Sequence, residues 1–346
     1  MSEVGIKEIA ARANVSTATV SYVLNGTRNV KLNTRERVLR VIEELNYRPN
    51  NAAQSLKRKR TNTIGVIAED VTVFNVPEII DGINDCADKM DMHILLTNLR
   101  LDKRIGRNFD QTDRYRHFAD NAVSELLSKQ VEGIVYIGVH PRDLTGLIDT
   151  LGKPIVYAYC YTQSEISIQY HDEQASYEAM AYLVKKGHKR IGIISGTMDS
   201  IPSRLRFNGY YKAVTEFELP FDPQLIKMGN WEAESGYWLT KELMELDERP
   251  TAILAMNDVM AVGVMRAASE MNVQIPRDLS VMGFDNREFS DYLIPRITTM
   301  DLPLHEIGYQ AMDSLALMIK GEQAVRKPMP ECKLIERDSV ASPRLR

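Results

Sequence analysis

The chain has 346 residues, 44% of them hydrophobic and 26% charged, which excludes a disordered or low-complexity polymer and leaves apolar surface for more than one core. The net charge of −4 hides a segregation: residues 1–60 carry twelve Lys/Arg against five Glu, the remainder 31 basic against 42 acidic residues. A basic head on an acidic body predicts that the head meets a polyanion and the body does not.

Three widely spaced cysteines, Cys86, Cys160 and Cys332, suggest neither a disulfide framework nor a zinc site. The six histidines show no metal-ligand spacing. The start, MSEVGIKEIAARA, is charged and amphipathic, unlike a signal peptide. With no apolar run of membrane-spanning length, a reduced, cytoplasmic setting is expected.

In chain order, Ile6, Ile9, Ala10 and Ala13 follow helical spacing, and Val20, Val23 and Leu24 do so again. Asn14-Val15-Ser16 interrupts them: Asn14 tolerates a left-handed turn, and Ser16 is placed to cap the second helix. This is a helix-turn-helix. A third helix is expected from Thr34 to Leu45, capped by Asn33 or Thr34, with Val38, Leu39, Ile42 and Leu45 on one face. Residues 50–60, NNAAQSLKRKR, read as a linker that is flexible until something orders it, since a helix from Asn50 through Leu56 is too short to stand alone.

Beyond Thr61 short apolar runs alternate with amphipathic stretches. IGVIA (64–68), HILLT (93–97), GIVYIG (133–138), PIVYAY (154–159), RIGIIS (190–195), LIKMG (225–229), TAILAM (251–256) and LSVMGF (279–284) read as buried strands. Helices are expected at 77–90, 111–129, 173–186, 203–217, 233–246 and 258–271. The alternation predicts an α/β fold of parallel sheets flanked by helices, and the strand number predicts two lobes with a ligand cleft at the strands' carboxyl ends.

In the head, Thr17, Ala18, Ser21 and Tyr22 lie opposite the apolar face of the second helix and would meet base edges, with Arg12, Arg28, Lys31 and Arg35 on phosphates. The bland alternative is a three-helix domain with a solvated face. The body shows no catalytic or phosphate-binding motif. It does place polar residues just past strand ends: Asp70, Thr72, Phe74 and Asn75, then Arg204 and Arg206, Trp231, Asn257 and Asp258, and Asp285 with Asn286. Each alone is an ordinary cap or loop residue. Together, carboxylates, amides, an Arg fork and a flat indole suit a polyhydroxylated ring.

The stretches IKEIAARANVSTATVSYVLNG, RERVLRVIEELNYRPNNAAQSLKRKRTNTIGVI, GHKRIGIISG, RLRFNGYYKA, AMNDVMAVGVMRAASEMNVQIPRDLSVMGFDN and ITTMDLP resemble the lactose/galactose-repressor family of bacterial transcription regulators, in family order along nearly the whole chain. The resemblance implies a helix-turn-helix head (1–49), a hinge helix or linker (50–61) and a core (62–346) like periplasmic sugar-binding proteins. It places one lobe at about 62–161 plus 293–321, with helix 303–320 returning to it, and the other at about 162–292 plus 322–346. It also implies a homodimer or higher assembly, a palindromic operator, and allosteric control by a small molecule, a sugar being favoured. No enzyme activity, cofactor, metal or membrane is implied.

Carried over by position, the DNA contacts are Ser16, Thr17, Ala18, Ser21, Tyr22, Asn25, Arg28, Asn50, Ala53, Leu56 and Lys57, with Leu56 as the minor-groove wedge. The effector residues are Asp70, Thr72, Phe74, Asn75, Arg206, Trp231, Asn257, Asp258 and Asp285. The chain departs from the family at Tyr22, where most relatives carry Arg, and at Asn75, where an aromatic is frequent. Competing readings are a solute-binding protein, opposed by the basic head, and a Rossmann-like enzyme, opposed by the missing phosphate fingerprint.

Overall fold

The computed structural model describes residues 5–25, 30–47, 61–105, 114–323 and 327–344. It divides into a head, residues 1–61, and a core, residues 62–346.

The head holds α1 (Ile6–Arg12), α2 (Thr17–Asn25) and α3 (Leu32–Glu44) around Ile9, Ala10, Ala13, Val20, Val23, Val38 and Val41. Asn14 adopts φ 50° between the first two helices, a conformation Asn accepts more readily than most residues. Ser16 Oγ accepts from the Thr19 N–H at 3.1 Å and so satisfies an otherwise orphaned donor of α2. Two expectations for α3 are corrected. It opens at Leu32, because the Lys31 carbonyl already accepts from the Thr34 and Arg35 N–H groups, and no side chain caps it. Leu39 is 45% exposed; one position on from Val38 it turns outward, and Val41 fills the core instead.

The core begins with β1 (Thr63–Ala68), α4 (Asn75–Lys89), β2 (His93–Asn98), α5 (Leu101–Ile105), α6 (Arg116–Ser128), β3 (Ile134–Ile137), β4 (Ile155–Ala158) and β5 (Ile166–Ile168). These strands form one parallel sheet in the order β2-β1-β3-β4-β5. There follow α7 (Asp172–Lys185), β6 (Ile191–Ser195), α8 (Ile201–Glu216), β7 (Ile226–Met228), α9 (Ala233–Met244), β8 (Ala252–Ala255), α10 (Asp258–Glu270) and β9 (Ser280–Met282). Their strands make a second parallel sheet, β7-β6-β8-β9. β3, β4, β6 and β8 are buried throughout, which is why they read as continuous apolar runs.

The chain then returns through β10 (Thr299–Asp301) to α11 (Leu304–Ile319), which packs on α4 and on β3, β4 and β5 of the first sheet. β11 (Lys333–Ile335) runs back antiparallel to β10. α4 and α11 cross so closely that a Cβ on Gly82 would lie 1.9 Å from the His305 carbonyl oxygen, and one on Gly308 2.0 Å from that of Ile79. Only glycine permits that approach. Because each large sheet is parallel, its strand-end loops gather on one edge, and the sequence-predicted ligand residues sit on those edges.

Candidate functional site

In the head, burial of Val20 and Val23 turns Thr17 and Ala18 to solvent and leaves Ser21 and Tyr22 half-buried. α2 carries no acidic residue in its first turn and no charged side chain at all, so hydroxyls and a methyl make up its outer surface. Arg12 meets Glu8 at 3.0 Å in an exposed ion pair, a contact worth only about 0.3–0.5 kcal/mol and readily exchanged. Asn25 ends α2. Arg28, Asn50, Ala53, Leu56 and Lys57 lie outside the described residues.

In the core the focus is Arg206, buried in α8. Its Nε donates to Asp172 Oδ1 at 2.7 Å and its Nη2 to Tyr170 Oη at 2.9 Å; Nη1 donates to the Met256 carbonyl, with Asp285 Oδ1 at 3.5 Å. Tyr170 Oη in turn donates to Asp172 at 2.7 Å, and the guanidinium plane lies 3.8 Å from the Phe284 ring centroid. One cation thus ties together the connection after β5, the end of β8 and the loop after β9. Most of its five N–H donors are spent inside the protein.

Asp285 is the second carboxylate on that cation. Asp172 holds the nearer position, so burial dominates at Asp285 and pushes its carboxyl up to about 8, against the pull of Arg206 and with Asp258 adding to the rise. Its backbone takes φ 103°, a strained conformation for a residue with a Cβ. Its N–H, donating to the Met300 carbonyl at 2.8 Å, holds it there.

The other sequence-predicted residues divide by what their polar atoms already do. Asp258, pushed up to about 6 mainly by burial, accepts from Thr299 Oγ1 and from the Arg287 N–H, each at 2.7 Å. Asn257 caps α10 by accepting from the Met260 N–H at 2.7 Å, and its Nδ2 donates to the Trp231 carbonyl at 3.0 Å. Trp231 takes φ 71° and lays its ring on Gly196, where a Cβ would stand 1.9 Å from Cε2. Asp70 accepts from the N–H and hydroxyl of Thr72 at 3.0 and 2.7 Å and from the Asp102 N–H at 3.1 Å. Burial works to raise the Asp70 carboxyl, but the bonds from Thr72 and Asp102 and the charge of Lys103 outweigh it and leave it below its usual range. Asp70, Thr72, Asn257 and Asp258 therefore shape loops, and Arg206, Asp285 and Trp231 form a cluster of their own.

Phe74 carries the Arg287 guanidinium over its ring at 4.5 Å, a contact between the loop after β1 and the loop after β9. The strand-end loops of the two sheets therefore meet here. Asn75, fully buried at the start of α4, donates from Nδ2 to the Gly138 carbonyl at 3.3 Å, while its Oδ1 has no partner.

Comparison with known proteins follows the same division. Residues 5–50 match the model of bacterial regulatory proteins of the lacI family, and residues 180–340 that of a periplasmic binding protein-like domain. Catabolite control protein A of Priestia megaterium is 35% identical over 92% of this chain and 93% of its own. The ribose operon repressor of Haemophilus influenzae is 31% identical over 97% and 98%. A lac repressor dimer bound to operator and the anti-inducer ONPF superposes with a TM-score of 0.78 at 28% identity, covering 98% of this chain and 99% of that one. The chain belongs to the LacI family.

As a LacI-family member it is a DNA-binding transcription regulator and not an enzyme. Sequence reasoning passed over several of its buried polar groups. Asp172 directly precedes the helix expected at 173–186, where an acidic residue needs no further explanation, and Tyr170 carried no signal by itself. Glu69, at the end of β1, accepts from Tyr136 Oη at 2.8 Å and the Val139 N–H at 2.9 Å and pairs with Arg142, which also reaches Tyr115 Oη at 2.9 Å. That network packs the first sheet's strand ends, and only the unusual sight of Glu directly after an apolar strand hints at it. Arg287, following Asp285-Asn286, carried no signal by itself.

Proposed function

We propose that this regulator is a repressor that reads a palindromic operator as a homodimer and is controlled by a small polyhydroxylated ligand, a sugar, held where the strand-end loops of the core meet. The head, residues 1–49, contacts base edges through Thr17, Ala18, Ser21 and Tyr22, with Ser16, Asn25 and Arg28 beside them. Residues 50–61 join it to the core, and Asn50, Ala53, Leu56 and Lys57 contact the operator there. The core spans 62–346. Working on the chromosome, the protein resides in the cytoplasm. Among the described residues no helix is long and apolar enough to cross a membrane.

The observation that carries the ligand reading is the convergence on Arg206 of Asp172, Met256 and Asp285 from three separate connections. A molecule that bonds Asp285 or stacks on Trp231 there changes the balance among those connections. Such a ligand shifts the core between lobe arrangements in proportion to its different affinity for each. Phe74, Trp231 and Asp285 would touch it, while Asp70, Thr72, Asn257 and Asp258 hold the loops that present them. The names of relatives support the class: one is a ribose operon repressor, and one structural neighbour is a lac repressor bound to operator and an anti-inducer.

The test is selection of operators from random DNA by the full chain, followed by anisotropy of the selected duplex with and without a panel of neutral sugars. A palindromic motif whose affinity shifts with one sugar supports the reading. A motif without two-fold symmetry, or an affinity that no small molecule alters, contradicts it.

A further inference from the structure

Arg287 is unusual among the charged groups near the strand-end loops. Its guanidinium lies over Phe74 at 4.5 Å and near Phe289 at 5.5 Å. Its backbone is fixed: the N–H donates to Asp258 Oδ2 at 2.7 Å, and the carbonyl accepts from the Ser290 N–H at 2.8 Å and Oγ at 2.5 Å. Yet among the described residues the guanidinium makes no hydrogen bond and no ion pair. Rings cover its faces, which leaves its edge, the part that forks onto an oxyanion, unspent. Arg206, by contrast, is occupied by two carboxylates and two further oxygens.

The residue after Phe74 supplies a second, independent observation. Asn75 directly follows Phe74, is fully buried, and has an Oδ1 without a donor. Leaving such an acceptor unpaired costs about 1–3 kcal/mol, so a site that supplies a hydroxyl there gains what the empty site forgoes. The donor edge lies over the Phe74 ring, and the orphan acceptor belongs to the next residue in the chain.

We infer that the ligand is an acidic sugar derivative, its phosphate or carboxylate forked by Arg287 and one of its hydroxyls donating to Asn75. This rests on the proposed ligand cleft and narrows its occupant from sugars in general to anionic ones. Asn75 Oδ1 has no donor and the Arg287 guanidinium has no hydrogen-bond acceptor among the described residues, and a neutral sugar would leave the Arg287 edge unused. Phosphate and carboxylate share the recognition chemistry, and the experiment separates them.

The full-length protein is titrated, with Trp231 fluorescence as readout, against neutral hexoses and pentoses, their terminal phosphates and their uronates, with inorganic phosphate as control. The W238F background removes the second indole. At constant ionic strength, one class of acidic derivative should bind about tenfold to a hundredfold more tightly than its neutral parent, the range of a charge-assisted fork. R287A should abolish that preference, and R287K should restore part of it. N75A should weaken acidic and neutral sugars alike but leave inorganic phosphate unaffected. Equal binding of neutral and acidic forms, or a preference that survives R287A, overturns the inference while the neutral-sugar arm keeps the cleft reading intact. Silence from every sugar, neutral and acidic, overturns both.

Discussion

Arg206 Nε and Asp172 Oδ1 meet at 2.7 Å with both side chains almost fully buried, joining the helix after β6 to the connection that leaves the first sheet. Removing one partner of such a pair strands the other without water, at a cost of about 3–5 kcal/mol. R206A should therefore lower core stability by about that amount in urea unfolding, beyond any loss of ligand response. A variant within about 1 kcal/mol of the parent would show that Arg206 does not hold these connections together.

That pair also shows where the sequence was legible. β3, β4, β6 and β8 announced themselves because burial on both faces leaves no polar alternation to confuse. The expectation that HILLT and LIKMG are buried strands is corrected, since Leu95, Leu96 and Met228 are exposed on strands at the edges of their sheets. β5, β10 and β11 have three residues each and mix polar with apolar side chains, so no periodicity marks them. Arg206 and Asp285 were identifiable as polar residues past strand ends. Asp172 was not, because its partner lies 34 positions away and only the folded crossover brings them together. The same reason hid Arg287, whose significance is the Phe74 ring beneath it. The internal bonds of Asp70 and Asp258 were equally hidden: only Thr72 is a near neighbour in sequence, while Asp102, Arg287 and Thr299 are brought to these carboxylates by the fold.

The raised carboxyl of Asp285 makes stability depend on pH. Its folded value of about 8 exceeds the ordinary 3.8, so between those limits the folded chain keeps a proton that the unfolded chain releases. Stability is then greatest below about pH 4 for this group and is lost as pH rises toward 8. Asp258, raised to about 6, acts with the same sign over a narrower window. D285N mimics the protonated form and should flatten the fall in Tm between about pH 6 and 8. Parent and variant melting curves with the same pH slope would refute the assignment.

The α4–α11 crossing has no room for a side chain. G308A places a methyl 2.0 Å from the Ile79 carbonyl oxygen, and overpacking of this kind costs about 1–3 kcal/mol. Calorimetry of the full chain should show a lower Tm, with the operator motif unchanged because the head is untouched. An unaltered Tm would mean that the two helices separate freely.

Tyr22 offers one hydroxyl and a flat ring, whereas an Arg there would read guanine through two acceptors at once, worth about 1–3 kcal/mol against other bases. Y22R should move the selected half-site toward guanine at the base it faces, with nonspecific, salt-dependent binding little changed. Identical motifs from parent and variant would show that Tyr22 packs within the head and contacts no base.

The central claim is that occupancy near Arg206 and Asp285 controls operator binding. It is tested most directly by one titration of a bound sugar into the full-length protein on its selected operator. Anisotropy of the duplex and Trp231 fluorescence are recorded together in the W238F background, with D285N in parallel. Both signals should share a midpoint in the parent, and D285N should shift both to higher concentration by the same factor. An anisotropy change with Trp231 silent, or a Trp231 response that leaves operator affinity unmoved, would contradict it.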